Sequence, residues 1–249
     1  MGLTNTALFP TLIEVGEAVL FLWERGMLAQ HLAISLQRVA TGFMIASITA
    51  IPVGILLGWV PALRIWVGPT LNFLRQIPPV AWIPLFIMWF GIGEASKSAV
   101  IFYAAFFPIL LNTQLGVEQI PKSYWEVSLL YRLPFITSLT RLVLPGSAPA
   151  VFTGLRLGMG MSWRALVAAE MLAASSGLGY LIMSARSLVR IDEMVVGIFL
   201  VGGIGILIDQ LFAVLEHRVL PWTQGVSGVS IITGRNAYGK RTSPSQTSI

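Results

Sequence analysis

The sequence predicts an all-α membrane protein, a polytopic helical bundle of about five spans, and three observations carry that expectation. Only 11% of the 249 residues are charged while 55% are hydrophobic, whereas an ordinary soluble domain carries about 25% charged residues. The apolar residues gather into long runs separated by short charged clusters, and several runs approach the ~20 residues that a helix needs to cross the hydrocarbon layer. Gly and Pro recur inside those runs, as in Pro52/Gly54/Gly58, Pro78/Pro79/Pro84 and Gly154/Gly158/Gly160, a pattern that breaks helices in water but is commoner in bilayers.

Taken in order, residues 1–33 form an external segment, in which Ala7 to Trp23 is apolar but interrupted by Glu14 and Glu17, as in an amphipathic helix lying on the outer surface. The transmembrane part, 34–222, holds four charge-free runs: Val39 to Leu63, Gln76 to Gly93, Ser98 to Val117 and Met194 to Ile208. A fifth span, Pro145 to Leu172, carries Arg156, Arg164 and Glu170; charges inside a span face other helices or a wet cavity. The pairs Gly54/Gly58 and Gly154/Gly158 have the small-xxx-small spacing that lets helix backbones approach closely. Trp59, Trp66, Trp82, Trp89 and Trp222 suit headgroup anchors. Residues 223–249, rich in Gly, Ser and Thr, read as a flexible cytoplasmic tail.

Lys and Arg collect in cytoplasmic loops, which orients the chain. With alternating loops, one set holds Arg64 and Arg75, then Lys122, Arg132 and Arg141, then Arg218, Arg235, Lys240 and Arg241; the other mixes Arg25, Lys97, Arg186 and Arg190 with six acids. The first set is cytoplasmic, which places the N-terminus outside. Either that tail crosses unaided or an upstream helix precedes it.

Several chemistries are disfavoured. The absence of cysteine removes disulfides and thiolate metal sites, and His31 and His217 stand far apart, each beside an apolar run, so no metal is expected. A net charge of +5 is spread one or two residues per loop, unlike the basic stripe of a nucleic-acid binder. Gly234 to Lys240 resembles a phosphate-binding loop, but Arg241 stands where Ser or Thr should hold magnesium. No constellation of catalytic groups is visible, so the chain is not expected to be an enzyme.

The segment from Glu118 to Leu144 contains Glu126-Val127-Ser128 and ends in Leu144-Pro145. It resembles the cytoplasmic coupling loop of ABC importer permeases, whose pattern is Glu-Ala-Ala, a glycine four residues after the second alanine, and a later Leu-Pro. Glu126 and Pro145 fall at that spacing, while Val127 and Ser128 replace the alanines and Arg132 replaces the glycine; Pro134 then stands as a substitute helix breaker. Further blocks narrow the resemblance to the sulfonate, taurine and nitrate branch: Ser35-Leu36-Gln37-Arg38-Val39, Leu74 to Pro84, Phe106 to Thr113, Val167 to Leu172 and Ser175 to Tyr180. Permeases of that branch usually have six spans, and Phe9 to Leu32 resembles the stretch after their first helix.

The resemblance implies a transport subunit in a bacterial plasma (inner) membrane, multi-pass, working as a pair of copies in lipid. An ABC ATP-binding subunit, which holds ATP and Mg, and an external solute-binding protein are the implied partners. Glu126, Val127, Ser128, Arg132, Leu133 and Pro134 would couple to the ATPase, with Glu126 a contact or capping residue. Along the charged span, Arg156 lies about 16 Å and Arg164 about 28 Å from Pro145, with Glu170 near the outer end. Arg164, Glu170 and Arg156 are thus candidates for the path of an anionic solute, against the alternative of structural pairing, which Arg156 favours. Asn112, Thr113 and Gln114 read as helix-bridging groups. The rival function is an ion-coupled secondary transporter, whose expected inverted repeat is not found.

Overall fold

The computed structural model describes residues 10–221, in which every regular element is helical. Trp222, the tail and the Gly234 to Lys240 stretch lie outside those residues. The elements are α1 Leu12–Glu24, α2 Met27–Trp59, α3 Pro61–Gln76, α4 Ile83–Phe90, α5 Glu94–Glu118, α6 Lys122–Leu130, α7 Phe135–Ser138, α8 Leu144–Ala173, α9 Leu178–Ser187 and α10 Ile191–Val219. "Outer" and "cytoplasmic" below follow the charge asymmetry of the sequence.

Helix α5 is the core, and glycine decides what touches it. A Cβ on Gly54 would sit 2.7 Å from the Leu110 carbonyl, and one on Gly58 would sit 2.7 Å from Val117 Cβ. On the other side, Gly154 and Gly158 meet Asn112 Cβ at 2.8 Å and Ile109 Cγ1 at 2.9 Å. Both small-xxx-small pairs therefore bring a neighbour's backbone against α5, where close packing and not burial from water supplies the attraction in lipid. Contacts ascend together along α2 and α5, so these helices run parallel; α8 is antiparallel to α5, with Gly154 at Asn112 and Ser162 at Ile101, and α10 is antiparallel to α8, with Arg156 at Asp209 and Trp163 Nε1 3.0 Å from the Val201 carbonyl.

Four helices are long and apolar enough to span a bilayer, and five spans result if the bent pair α3 and α4 counts as one. That pair corrects the expectation of a straight helix over Gln76 to Gly93. The chain turns by 89° between Pro61–Gln76 and Pro79–Phe90, because Pro78 and Pro79 lack N–H donors and force Ile77 into an extended conformation (φ −80°, ψ 120°). Arg75, expected in a cytoplasmic loop, instead ends α3 about 21 Å above Pro61. A similar rule ends α2 early: Val60 is extended before Pro61, which then starts α3. At its other end α2 begins at Met27, twelve residues before the charge-free run, because Arg38 and His31 have buried partners described below.

The expected loop from Glu118 to Leu144 is shorter than its charge suggests. Residues from Phe135 onward join α8 through a π-helical turn, Leu139–Val143, to make one helix of 39 residues, Phe135–Ala173. At ~1.5 Å per residue it is about 58 Å long, well beyond the ~30 Å hydrocarbon core. Two of the tryptophans read as headgroup anchors also pack on aromatic neighbours: Trp82 on Phe86 and Tyr103, and Trp59 on Phe135 with centroids 4.8 Å apart. The outer surface is closed by α1, capped by Thr11 and Glu14, whose Ala18 and Leu22 pack on Leu28, Leu181 and Val196.

Candidate functional site

The cytoplasmic end carries α6. Its last turn is a Schellman motif: the Leu133 N–H donates to the Ser128 carbonyl and the Arg132 N–H to the Leu129 carbonyl, both at 3.0 Å. Arg132 is left-handed, with φ +47°, a conformation that costs an ordinary L-residue roughly 1–2 kcal/mol. The helix is thus broken at Arg132 itself, at the position where the resembling permeases have glycine. Pro134 does not substitute as the breaker; it caps the start of α7. Glu126 lies in the middle of α6 and caps nothing, since Pro121 occupies the N-cap; its carboxylate is exposed and has no ion-pair partner among the described residues.

Around it α6 and the turn after it present an apolar surface, with Val127, Leu129, Leu130 and Tyr131 exposed by 50%, 77%, 80% and 73%. Ser128 is buried, and its hydroxyl meets that of Ser138 at 2.9 Å. Trp59 contacts both Trp125 and Phe135. These aromatics wall a cavity of about 1020 Å³ that also reaches Arg64, Glu118 and Arg132. An Arg64–Glu118 ion pair ties α3 to α5 at the same end.

The outer end holds a buried polar knot that sequence reasoning divided among unrelated segments. Glu170 is only 1% exposed. Its carboxylate accepts from Ser35 Oγ at 2.8 Å, Arg38 Nη1 at 2.8 Å and the Gly179 N–H at 3.0 Å. Arg38 also grips Glu94 through Nε and Nη2, each at 2.6 Å, and donates to the Ser176 carbonyl at 2.6 Å. Lys97 Nζ completes the set at 3.1 Å from Glu94. The Gly177 N–H donates to His31 Nδ1 at 3.0 Å, which fixes a histidine expected to be interfacial in a buried place. Gly177 has φ +112°, and a Cβ there would fall 2.2 Å from Glu170 Oε1; no other residue fits. The reading of spans leaves Ser35, Arg38, Glu94 and Lys97 outside its charge-free runs and so does not bring them together. The available signal was the pair of blocks Ser35 to Val39 and Val167 to Tyr180, which meet here.

Glu170 therefore presents no free carboxylate to a path in this conformation. Arg156 is likewise engaged, its Nε and Nη2 each 2.7 Å from the Asp209 carboxylate and Nη1 3.8 Å from Glu216. Arg164 differs: it is exposed, and neither a hydrogen bond nor an ion pair joins it to another described residue. Of the three polar residues near the end of α5, Asn112 donates to the Pro108 carbonyl and Gln114 to Glu118, both within α5, while Thr113 packs its methyl on Gly54. None bridges helices by a hydrogen bond.

A helical bundle of four or five spans, with a short helix left apolar and exposed at one end and a buried polar knot at the other, is a polytopic membrane protein. The comparisons agree. Residues 50–221 match the family described as "Binding-protein-dependent transport system inner membrane component", and the chain belongs to that family. It is 36% identical to the taurine transport system permease protein of Escherichia coli strain K12, over 78% of this chain and 70% of that one. It is 39% identical to a nitrate import permease protein of Synechocystis, over 76% and 69%. A bicarbonate transport system permease protein of Synechococcus elongatus is 38% identical, over 79% and 71%. The chain is thus a multi-pass permease subunit of an ATP-driven importer, not an enzyme and not an ion-coupled transporter, and ATP-binding and solute-binding subunits are its partners.

Proposed function

We propose that this permease imports a small oxyanion of the sulfonate, nitrate or bicarbonate kind. An external binding protein delivers the solute, two copies of the chain enclose its path within the lipid, and ATP with Mg is held by the ATP-binding subunits alone. The taurine, nitrate and bicarbonate permeases that resemble it are all named for small solutes that carry an oxyanion group, and the unpaired Arg164 suits such a cargo.

The observation that carries the coupling mechanism is the continuity between α6 and α8. α6 offers an exposed apolar face with Glu126 at its centre to a groove of the ATPase, and Val127, Leu129 and Leu130 supply the buried contact. Four residues, Tyr131 to Pro134, then lead into the 39-residue helix. Because that helix is rigid and packs along α5, displacement of α6 when the ATP-binding subunits close reaches the middle of the bilayer. Arg132, Leu133 and Pro134 act by fixing the angle of this joint, and Ser128 by tying α6 to α7.

The test is co-expression with an ATP-binding subunit, purification in detergent and reconstitution. Wild-type chain should bring down the subunit, and Glu126→Lys should lose it. Retention of the subunit by a Glu126→Lys, Leu130→Asp double variant would refute this docking surface.

A further inference from the structure

We infer that Arg75 and Arg164 together form one binding station for an oxyanion, inside the bilayer at the depth of Tyr103. The inference rests on the importer reading above and adds to it a second arginine and a position. Depth comes from the helix contacts. Gly158 lies against the Ala105 carbonyl, and Ser162 Oγ donates to the Ile101 carbonyl at 3.3 Å. Gly160, midway between them on α8, is therefore level with Tyr103 on α5. The guanidinium of Arg164 folds back over Gly160, its Nη2 3.6 Å from where a Cβ would stand, so its charge lies at that level and not one turn further out.

Arg75 reaches the same level from α3. The Tyr103 hydroxyl donates to the carbonyl of Leu74, the residue before it. The Tyr103 ring packs on the cluster that contains Ala165, the residue after Arg164. Tyr103 stands about 14 Å from Glu94 and about 22 Å from Glu118 along α5, so the guanidinium of Arg164 and the backbone that carries Arg75 lie well inside the apolar layer. Neither arginine side chain has a hydrogen-bond or ion-pair partner among the described residues, and both are exposed. By contrast, Arg38, Lys97 and Arg156 all have carboxylates. Bare guanidinium groups facing lipid are expensive and face cavities or partners instead. Two such groups at one level, with planar forks of donors, match the geometry of a small sulfonate, nitrate or bicarbonate.

The chain has no cysteine, which permits a test that does not depend on knowing the cargo. Arg164→Cys is prepared in the complex with its ATP-binding subunit, in proteoliposomes. The label is either anionic sulfonatoethyl methanethiosulfonate or cationic trimethylammonioethyl methanethiosulfonate, read as a mass shift on the permease. After normalisation to a free thiol, the anionic reagent should react on the order of tenfold faster than the cationic one, an effect of the neighbouring Arg75 charge. Adding Arg75→Gln should abolish that preference, and Arg75→Lys should retain it. Arg75→Cys with Arg164 intact should behave the same way. Failure of both reagents to react, or a preference unaffected by Arg75→Gln, would overturn the station while leaving the permease assignment standing. Loss of the ATP-binding subunit from the unmodified chain would instead strike the importer reading.

Discussion

At the scale of single residues, charge and chirality make separate demands. Arg132 holds a left-handed backbone that glycine adopts freely, so Arg132→Gly should stabilise the turn by about 0.5–1 kcal/mol, seen as a raised thermal midpoint with the ATP-binding subunit still bound. Arg132→Val should do the reverse. In the outer knot, removal of one partner leaves a buried charge without compensation, and Glu170→Ala or Arg38→Ala should each cost about 3–5 kcal/mol. A Glu170→Ala variant with wild-type stability would show that the knot contributes little. The two arginine types are distinguished by the same measurement: Arg164→Gln breaks no hydrogen bond or ion pair among the described residues and should leave the midpoint unchanged.

At the scale of elements, helix contacts follow from the absence of side chains. Gly54→Leu and Gly158→Leu should each force α2 or α8 from α5, at about 1–3 kcal/mol or more, whereas Gly202→Ala, with nothing within 4 Å of the added Cβ, should be silent. Limited proteolysis and detergent thermal shifts separate these outcomes. Much of this was legible in the sequence: the glycine pairs, the apolar runs and the span carrying Arg156, Arg164 and Glu170 all mark real helices. Hydropathy failed where backbone chemistry overrode it. The run from Gln76 to Gly93 is apolar throughout, yet Pro78 and Pro79 divide it. Hydropathy puts a boundary at Arg38 because it counts a charge without its partners, and Glu94, Glu170 and Ser176 come from distant parts of the chain. The coupling motif was recognisable from Glu126 and Pro145, but the conformation of Arg132 requires coordinates.

At the scale of the whole molecule, the long helix from Phe135 to Ala173 is interrupted only by the π turn at Leu139–Val143, and π turns often mark functional sites within helices. Inserting two glycines in that turn should leave binding and hydrolysis of ATP by the partner intact while lowering uptake by about tenfold or more, since glycine weakens the helix that must transmit the movement. Equal uptake by the insertion variant would mean that force travels by another route. The right-angle elbow after Gln76 has a different consequence. A backbone bent across mid-membrane has no continuous ladder of hydrogen bonds from face to face, so a displacement of α3 is not carried by the backbone into α4, which is held on α5 and α8 through Ile83 and Phe86. Opening towards one side then need not drag the other side open, which is the condition for a pump that never becomes a leak.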